Sequence, residues 1–166
     1  MLPSDDAPVL ARRWYREDGS ASALTRSLAS APDVMETLMP FLGAIMGESS
    51  LDLATKELVI VRVSQLNGCR YCLTSHRPAA LDAGLTPAVV DVICGDAALD
   101  GLPERERALV DWVDQVTLDA GGVTDELLAQ TLTHVREDEL LELTLLAGAI
   151  TMLNQYCTAL AIPPPG

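Results

Sequence analysis

The chain has 166 residues, of which 49% are hydrophobic and 21% are charged. That content is enough to bury a core without disulfide crosslinks, and it is too apolar for an intrinsically disordered chain. The formal net charge of −13 would repel a phosphate backbone or an anionic lipid surface, so we expect no nucleic-acid partner and no membrane partner. The excess of aliphatic over aromatic residues favours an all-α fold.

The first 20 residues are polar, contain two prolines and lack hydrophobic periodicity. We therefore predict a flexible N-terminal arm over residues 1–20 and a single helical domain over residues 21–166. The N-terminal sequence does not have the pattern of a secretory leader, and no run of about 18 uninterrupted apolar residues follows it. We therefore expect a cytoplasmic protein without a membrane span.

Seven segments after the arm show helical periodicity or helix start and stop signals. Asp52 is a candidate N-cap, Asn67-Gly68 breaks the helical pattern, and Gly84 is a candidate C-terminal stop. The alternating pattern typical of strands is missing from the sequence, so we predict a bundle of six to seven helices. The segments begin near Pro32, Leu53, Cys69, Pro87, Pro103, Thr124 and Arg136.

The stretch from Glu57 to His76 carries the residues best suited to chemistry. Cys69 and Cys72 are one helical turn apart at the start of a helix, and His76 follows Cys72 by another turn, so all three share one helix face. The Asn67-Gly68 turn folds the preceding helix back alongside. At 1.5 Å per residue, Glu57 lies about 15 Å from this turn and His76 about 12 Å. We therefore expect the carboxylate and the imidazole to face each other.

These four groups suit thiol redox chemistry. Thiolate is the reactive form of cysteine, and a helix N-terminus with a neighbouring imidazolium is expected to lower the thiol pKa. His76 can take the thiol proton, and Glu57 can orient the imidazole. A thiolate oxidised by a peroxide becomes a sulfenic acid, which a second cysteine converts into a disulfide that an external dithiol must reduce.

The spacing of Glu57 and Cys69-x-x-Cys72-x-x-x-His76, within the stretch GCRYCLTSH, resembles the core signature of the AhpD-like alkylhydroperoxidases in the carboxymuconolactone decarboxylase family. The strong part of the resemblance spans about residues 53–94, and a weaker likeness covers residues 103–163. The resemblance implies an AhpD-like helical bundle that forms a homo-oligomer, trimeric or hexameric. It also implies that a hydroperoxide substrate is reduced at the expense of an external thiol or dithiol.

By position, the resemblance implies that Cys72 is the peroxidatic thiol, that Cys69 is the resolving thiol, and that His76 and Glu57 form the proton relay. The helix dipole alone would instead favour Cys69, at the helix tip, as the more acidic thiol, so the assignment of the two cysteines stays open. Tyr71 stands where the family can hold a relay histidine, and a phenol is a much weaker acid near neutral pH. The part of Tyr71 in the relay also stays open.

Other functions compete with a redox pair. Cys69, Cys72 and His76 are three possible zinc ligands, with His134 the remaining histidine. The chain could also be a non-redox enzyme of the decarboxylase type, although the resemblance implies that such enzymes do not depend on a cysteine pair. A helical scaffold or binding module with a structural or zinc-binding pair is the third alternative. No nucleotide-binding or haem-attachment motif is present in the sequence, so we predict no cofactor and no resident metal.

The remaining cysteines and the nearby cations have simpler interpretations. Cys94 and Cys157 lie among apolar neighbours on predicted helices, and we expect both to be buried small hydrophobes. Arg62, Arg70 and Arg77 stand against the single carboxylate of Glu57 in the stretch from 57 to 77. Such a basic island would favour thiolate.

Overall fold

The structure, a computed structural model, describes residues 1–95 and 97–165. Within these residues the chain forms nine α-helices, three single turns of 3-10 helix and no strand, which confirms the all-α fold class. The 3-10 turns are Ser4–Asp6, Leu99–Gly101 and Ala120–Gly122. The helices are α1 (Val9–Arg12), α2 (Ala23–Leu28), α3 (Pro32–Met46), α4 (Leu53–Leu66), α5 (Arg70–Asp82), α6 (Pro87–Ile93), α7 (Glu104–Asp119), α8 (Asp125–Thr131) and α9 (Glu137–Ala159).

All seven predicted helices are present, and local capping explains where several of them begin. The Asp52 carboxylate accepts a hydrogen bond from the Thr55 backbone N–H at 2.7 Å, as predicted for the N-cap of α4. Thr86 and Thr124 cap α6 and α8 in the same way. The prediction of six to seven helices was too low, because α1 and α2 are too short to show a periodic pattern.

The segment predicted as an arm, residues 1–20, contains helical turns that pack against the body. Ala7 and Ala11 are buried, and the Leu2 backbone N–H donates to the Arg26 carbonyl at 3.2 Å. The Tyr15 hydroxyl donates to the Leu2 carbonyl at 2.9 Å. The independent motion of this segment stays a prediction.

Helix α4 lies at the centre of the main core and contacts α5, α6, α7 and α9. Its apolar residues from Leu58 to Val63 are buried on every side of the helix. They pack with apolar side chains of α7 and α9 in one hydrophobic cluster. Each fully buried side chain of this size contributes about 1.5–3 kcal/mol to folding.

An ion pair between a buried lysine and a partly exposed glutamate joins α4 to α9. The Lys56 side chain is fully buried, and its ammonium donates to the carbonyls of Ile45, at 3.0 Å, and Gly47. Its Nζ atom lies 2.6 Å from Oε1 of Glu142. Burial alone would raise the pKa of Glu142, but hydrogen bonds from Lys56 and two neighbouring serines lower it to about 2.

Helix α9 is the one helix of the described chain whose length and mean hydropathy would suffice to cross a membrane, and half of its most apolar window is buried inside the protein. It packs against α3, α4, α5 and α7. Leu141, Leu145 and Met152 lie at helical spacing on its outer face and are exposed. We call these three residues the α9 stripe.

Candidate active site

The turn between α4 and α5 places the cysteine pair. Gly68 adopts a positive φ of 64°, which glycine accommodates without strain. The Cys69 backbone N–H donates to the Ser64 carbonyl at 2.9 Å. This is the six-to-one hydrogen bond of a Schellman motif at the end of α4. Cys69 therefore ends one helix and, as the N-cap, begins the next.

The two cysteines of the predicted pair are in contact as free thiols. Their Sγ atoms lie 2.9 Å apart, and the Cys72 backbone N–H donates to Cys69 Sγ at 3.4 Å. Both residues are buried, and Cys72, at 7% exposed, is the more accessible. Since a disulfide bond is about 2.05 Å long, the sulfurs need to approach by less than an ångström to join.

The predicted approach of Glu57 to His76 is present. Nδ1 of His76 lies 2.9 Å from Oε2 and 3.2 Å from Oε1 of Glu57. The two side chains are partly exposed, at 22% for His76 and 15% for Glu57. The carboxylate fixes one ring nitrogen and leaves Nε2 for another partner. Their roles in catalysis stay a prediction.

Cys157 of α9 is a third thiol at the pair, a position that sequence reasoning missed. The Sγ atoms of Cys69, Cys72 and Cys157 all lie within 4.8 Å of one another, and we call them the thiol cluster. The prediction that Cys157 is buried is confirmed, but its neighbours are two thiols in addition to hydrocarbon. Cys94, by contrast, is buried in the main core, as predicted.

A buried polar network holds α9 against the turn. Asn154, fully buried and one turn before Cys157, donates from Nδ2 to the Ser64 hydroxyl at 3.1 Å. The Asn67 side chain donates to Asn154 Oδ1 at 3.1 Å. A buried amide left without these partners would be costly, so the network fixes the register of α9 beside the cysteines.

The pKa directions at the thiol cluster correct the sequence-based expectation. Burial is the main cause that raises the pKa of Cys69. The hydrogen bond between the Cys72 and Cys157 thiols raises the pKa of Cys72, and burial adds to this. The neighbouring Cys72 thiol lowers the pKa of Cys157 in turn. The expected lowering at the Cys69–Cys72 pair is therefore wrong for the resting thiols, since burial at Cys69 and the Cys157 thiol together with burial at Cys72 favour the neutral forms.

A pocket of about 250 Å³ opens onto the cluster. Cys69 and Cys157 line its wall, and Cys72 is not among its lining residues. Tyr71 and the exposed Arg70 lie on one side of the pocket. Its other side is the tail after α9, where the Ile162 backbone N–H donates to the Cys157 carbonyl at 2.9 Å and the Ile162 side chain covers the sulfurs.

The three arginines expected to favour thiolate do not gather around the thiols. Arg62 is buried and forms a bidentate ion pair with Asp114 of α7, at 2.6 and 2.5 Å. Arg77 pairs with Asp91 of α6 at 2.8 Å. Among the described residues that line the pocket, Arg70 is the cation.

The possible zinc ligands in the structure differ from those that the sequence suggested. Among the described residues, the group of metal-ligating atoms that lie close enough to share an ion is the thiol cluster, without a histidine. His76, the third ligand of the predicted zinc site, is instead paired with Glu57. The donors present are therefore three sulfurs, a set that suits zinc or another thiophilic metal.

Comparison with known proteins supports the same assignment of fold. The chain is 28% identical over 131 residues to the uncharacterized protein YdfG of Bacillus subtilis (strain 168), over 78% of this chain and 88% of that protein. Its fold is similar to an alkylhydroperoxidase AhpD core, an uncharacterized peroxidase-related protein from Ralstonia eutropha JMP134. The TM-score is 0.88 at 19% identity, over 99% of this chain and 90% of that one.

A second solved structure is a protein of unknown function from Agrobacterium tumefaciens, provisionally assigned to AhpD antioxidant defence. It matches with a TM-score of 0.75 at 24% identity, over 84% of this chain and 96% of that one. At these identities the likeness shows the fold alone, which is that of the AhpD core. A family model, carboxymuconolactone decarboxylase, matches residues 32–115, half of the chain, and this match includes all of α4 and α5. The chain therefore belongs to the carboxymuconolactone decarboxylase family.

Proposed function

We propose that this protein is a thiol-dependent peroxidase that reduces hydroperoxides through a disulfide between Cys69 and Cys72. The observation that carries the proposal is the position of two functional pairs on one helical hairpin. The thiols lie 2.9 Å apart at the α4–α5 turn, and the Glu57–His76 pair bridges the same two helices at 2.9 Å. His76 follows Cys72 by one turn of α5.

The proposed cycle begins at Cys72. Its thiolate attacks one oxygen of the hydroperoxide, the O–O bond breaks, and an alcohol leaves while Cys72 becomes a sulfenic acid. The Cys69 thiol then attacks the sulfenic sulfur, water leaves, and the disulfide forms. An external dithiol reduces this disulfide by exchange, which returns both thiols and oxidises the donor.

The proposed proton relay compensates for the raised pKa of the resting Cys72 thiol by removing its proton. A buried thiol attacks poorly until its proton is removed, and a base one turn away can remove it as the peroxide arrives. In the proposal, His76 accepts this proton on Nε2 while Nδ1–H donates to Glu57, and it returns the proton to the departing alkoxide. Glu57 acts as a positioning residue, since it holds the imidazole in one tautomer.

The two substrates are proposed to approach different sulfurs. Cys72 is the more exposed thiol of the pair and the closer in sequence to His76, so we assign it to the peroxide. Cys69 lines the pocket, so a dithiol donor would attack there, and Cys72 would be the leaving thiolate. A cytoplasmic location would suit this cycle, because cytoplasmic thiol donors are kept reduced.

We infer a homo-oligomer from the α9 stripe. Leu141 and Leu145 are 68% and 64% exposed, and Met152 continues the same helix face. Scattered exposed apolar residues are ordinary, but an aligned apolar patch marks an interaction surface. A second copy of the chain is the proposed occupant.

Hydroperoxide consumption with a panel of dithiol donors tests the proposal. The wild type should consume more than one equivalent of peroxide only when a donor is present, and Cys72→Ser should abolish turnover. The matched control is Cys94→Ala, which removes a buried thiol outside the cluster and should retain turnover. Persistent activity in Cys72→Ser would overturn the assignment.

A zinc-binding scaffold is the second candidate, favoured by the three clustered sulfurs. A structural zinc site requires four ligands, so a fourth would have to come from solvent or another group. Elemental analysis of the purified protein separates the two functions. One zinc per chain, lost in Cys157→Ser, would support the scaffold, whereas metal-free protein with peroxidase turnover would exclude it.

A further inference from the structure

Cys157 has a position that the peroxidase cycle leaves unused. Its sulfur lies within 4.8 Å of both Cys69 and Cys72, although it is carried by a different helix. Cys157 is 2% exposed, yet it also lines the pocket beside Cys69. A thiol that touches a redox pair and borders its pocket is placed to exchange with it.

Cys72 is the cysteine that both Cys69 and Cys157 could join in a disulfide. Its sulfur lies 2.9 Å from Cys69 Sγ, as the acceptor of that thiol, and within 4.8 Å of Cys157 Sγ. The Asn154 network holds the relevant turn of α9 against α4, so Cys157 stays at this distance.

We propose that Cys157 is a third redox-active thiol, which attacks the oxidised pair and forms a Cys72–Cys157 disulfide. The inference rests on the proposed function for the source of the first disulfide. The Cys157 thiolate attacks Cys72 Sγ, the Cys72–Cys157 bond forms, and the Cys69–Cys72 bond breaks. Cys69 leaves as a thiolate and takes up the proton that Cys157 released, so the exchange needs no oxidant or reductant.

Cys72 belongs to either disulfide, so it is protected from further oxidation in both. In one form Cys69 is the pocket-lining sulfur of the disulfide, and in the other it is Cys157. A dithiol entering the pocket can therefore reduce both forms. A sulfenic acid on Cys72 also has two possible resolving thiols, which shortens its exposure to a second peroxide.

Cys69→Ser tests this inference because it removes the usual partner and leaves the helix cap. Serine is a good N-cap residue, so its hydroxyl can replace Cys69 Sγ as the acceptor for the residue 72 N–H. The variant is oxidised with diamide, a thiol oxidant that needs no peroxidase activity. Free thiols are then alkylated, and disulfides are mapped by mass spectrometry without reduction.

The expected result is that three free thiols in Cys69→Ser fall to one, with a Cys72–Cys157 crosslink within one chain. The matched control Cys69→Ser/Cys157→Ser should keep both of its thiols, and Cys69→Ser/Cys94→Ala should still form the crosslink. Three persisting thiols in Cys69→Ser, a crosslink to Cys94 or a crosslink between chains would overturn the inference.

A peroxide arm separates this inference from the proposed function. After one equivalent of hydroperoxide, the wild type should contain Cys69–Cys72 and Cys72–Cys157 disulfides, and Cys157→Ser should contain Cys69–Cys72 alone. A wild type that forms Cys69–Cys72 but never Cys72–Cys157 overturns the inference and leaves the peroxidase proposal standing. A wild type that stays reduced with peroxide, while diamide forms Cys72–Cys157 in Cys69→Ser, supports the inferred contact and overturns the peroxidase.

Discussion

Nδ1 of His76 lies 2.9 Å from Oε2 of Glu57, and this contact joins the two helices that meet at the cysteine pair. Because the carboxylate accepts from Nδ1–H, the neutral imidazole presents Nε2 as its basic atom. The contact thus selects the tautomer that a proton relay requires. It also makes the relay testable without altering a sulfur.

Glu57→Gln should lower peroxidase turnover about 10²-fold or more, the usual range for loss of acid–base function. The amide can still contact the ring but does not stabilise an imidazolium as a carboxylate does. Stopped-flow peroxide consumption across pH would report the change, with a shifted pH profile as the sign of an altered relay.

The matched control for that variant is Asp91→Asn. It breaks an exposed ion pair with Arg77, the residue after His76, and surface pairs contribute about 1 kcal/mol or less. Turnover in Asp91→Asn should stay near the wild-type value. Equal turnover in Glu57→Gln and the wild type at every pH would contradict the relay.

The order in which the three clustered thiols are alkylated should follow their pKa values and their access to the pocket. Cys157 has a lowered pKa and lines the pocket, whereas the pKa of Cys69 and Cys72 is raised. Limited iodoacetamide treatment near neutral pH should therefore label Cys157 first, with labelling of the other two accelerating as the pH rises above the ordinary thiol value of 9.0. Peptide mapping gives the order, and earlier labelling of Cys72 would contradict this description.

The arrangement around the cysteine pair could be predicted because its signals are local. A capping aspartate at 52, a glycine at 68 and a histidine one turn after Cys72 fix the hairpin within a short stretch of chain. The mutual orientation of Glu57 and His76 then follows from helix rise alone. By contrast, α1 and α2 are only one or two turns long, and they are held by packing against α3 rather than by a pattern of their own.

The third thiol could not be predicted, because α9 is apolar on most of its faces. Cys157 faces α5 only because of the rotation of α9, and that rotation depends on contacts such as Asn154 with Ser64. The pKa directions were missed for a related reason. A helix N-terminus, which would lower a thiol pKa, can be inferred from sequence. The burial that raises the pKa depends on the tail after α9, which contains Ile162 and the prolines that follow it.

The Lys56–Glu142 pair should control stability in acid. The folded-state pKa of Glu142 is about 2, compared with an ordinary value of 4.5. Its contribution is therefore fully present above pH 4.5 and is lost as the pH falls through about 2. Urea unfolding of Glu142→Gln across this range should show a lower stability near neutral pH and a weaker dependence on acid.

Lys56→Met/Glu142→Leu is the control for that experiment, because removing both charges leaves neither one buried alone. Loss of a single partner from a buried pair costs about 3–5 kcal/mol, whereas replacing both with apolar residues is often neutral. The double variant should therefore unfold at a higher urea concentration than Glu142→Gln. If both variants match the wild type at neutral pH, the pair does not stabilise the fold.

Leu145→Asp should weaken self-association through the α9 stripe. A carboxylate at the centre of an apolar interface must be desolvated without a partner. Sedimentation velocity should give a smaller species for this variant than for the wild type. Leu118→Asp, on α7 and 69% exposed, should leave the assembly unchanged; an unaltered assembly in Leu145→Asp would exclude the stripe as the interface.

The most direct test of the redox centre is a thiol count before and after one equivalent of hydroperoxide. The wild type has four free thiols, and the count should fall to two, with the new disulfide containing Cys72 in every oxidised chain. Cys72→Ser should keep its thiols and consume no peroxide on the same time scale. Four thiols remaining in the wild type after the peroxide treatment, or a disulfide that excludes Cys72, would contradict the account.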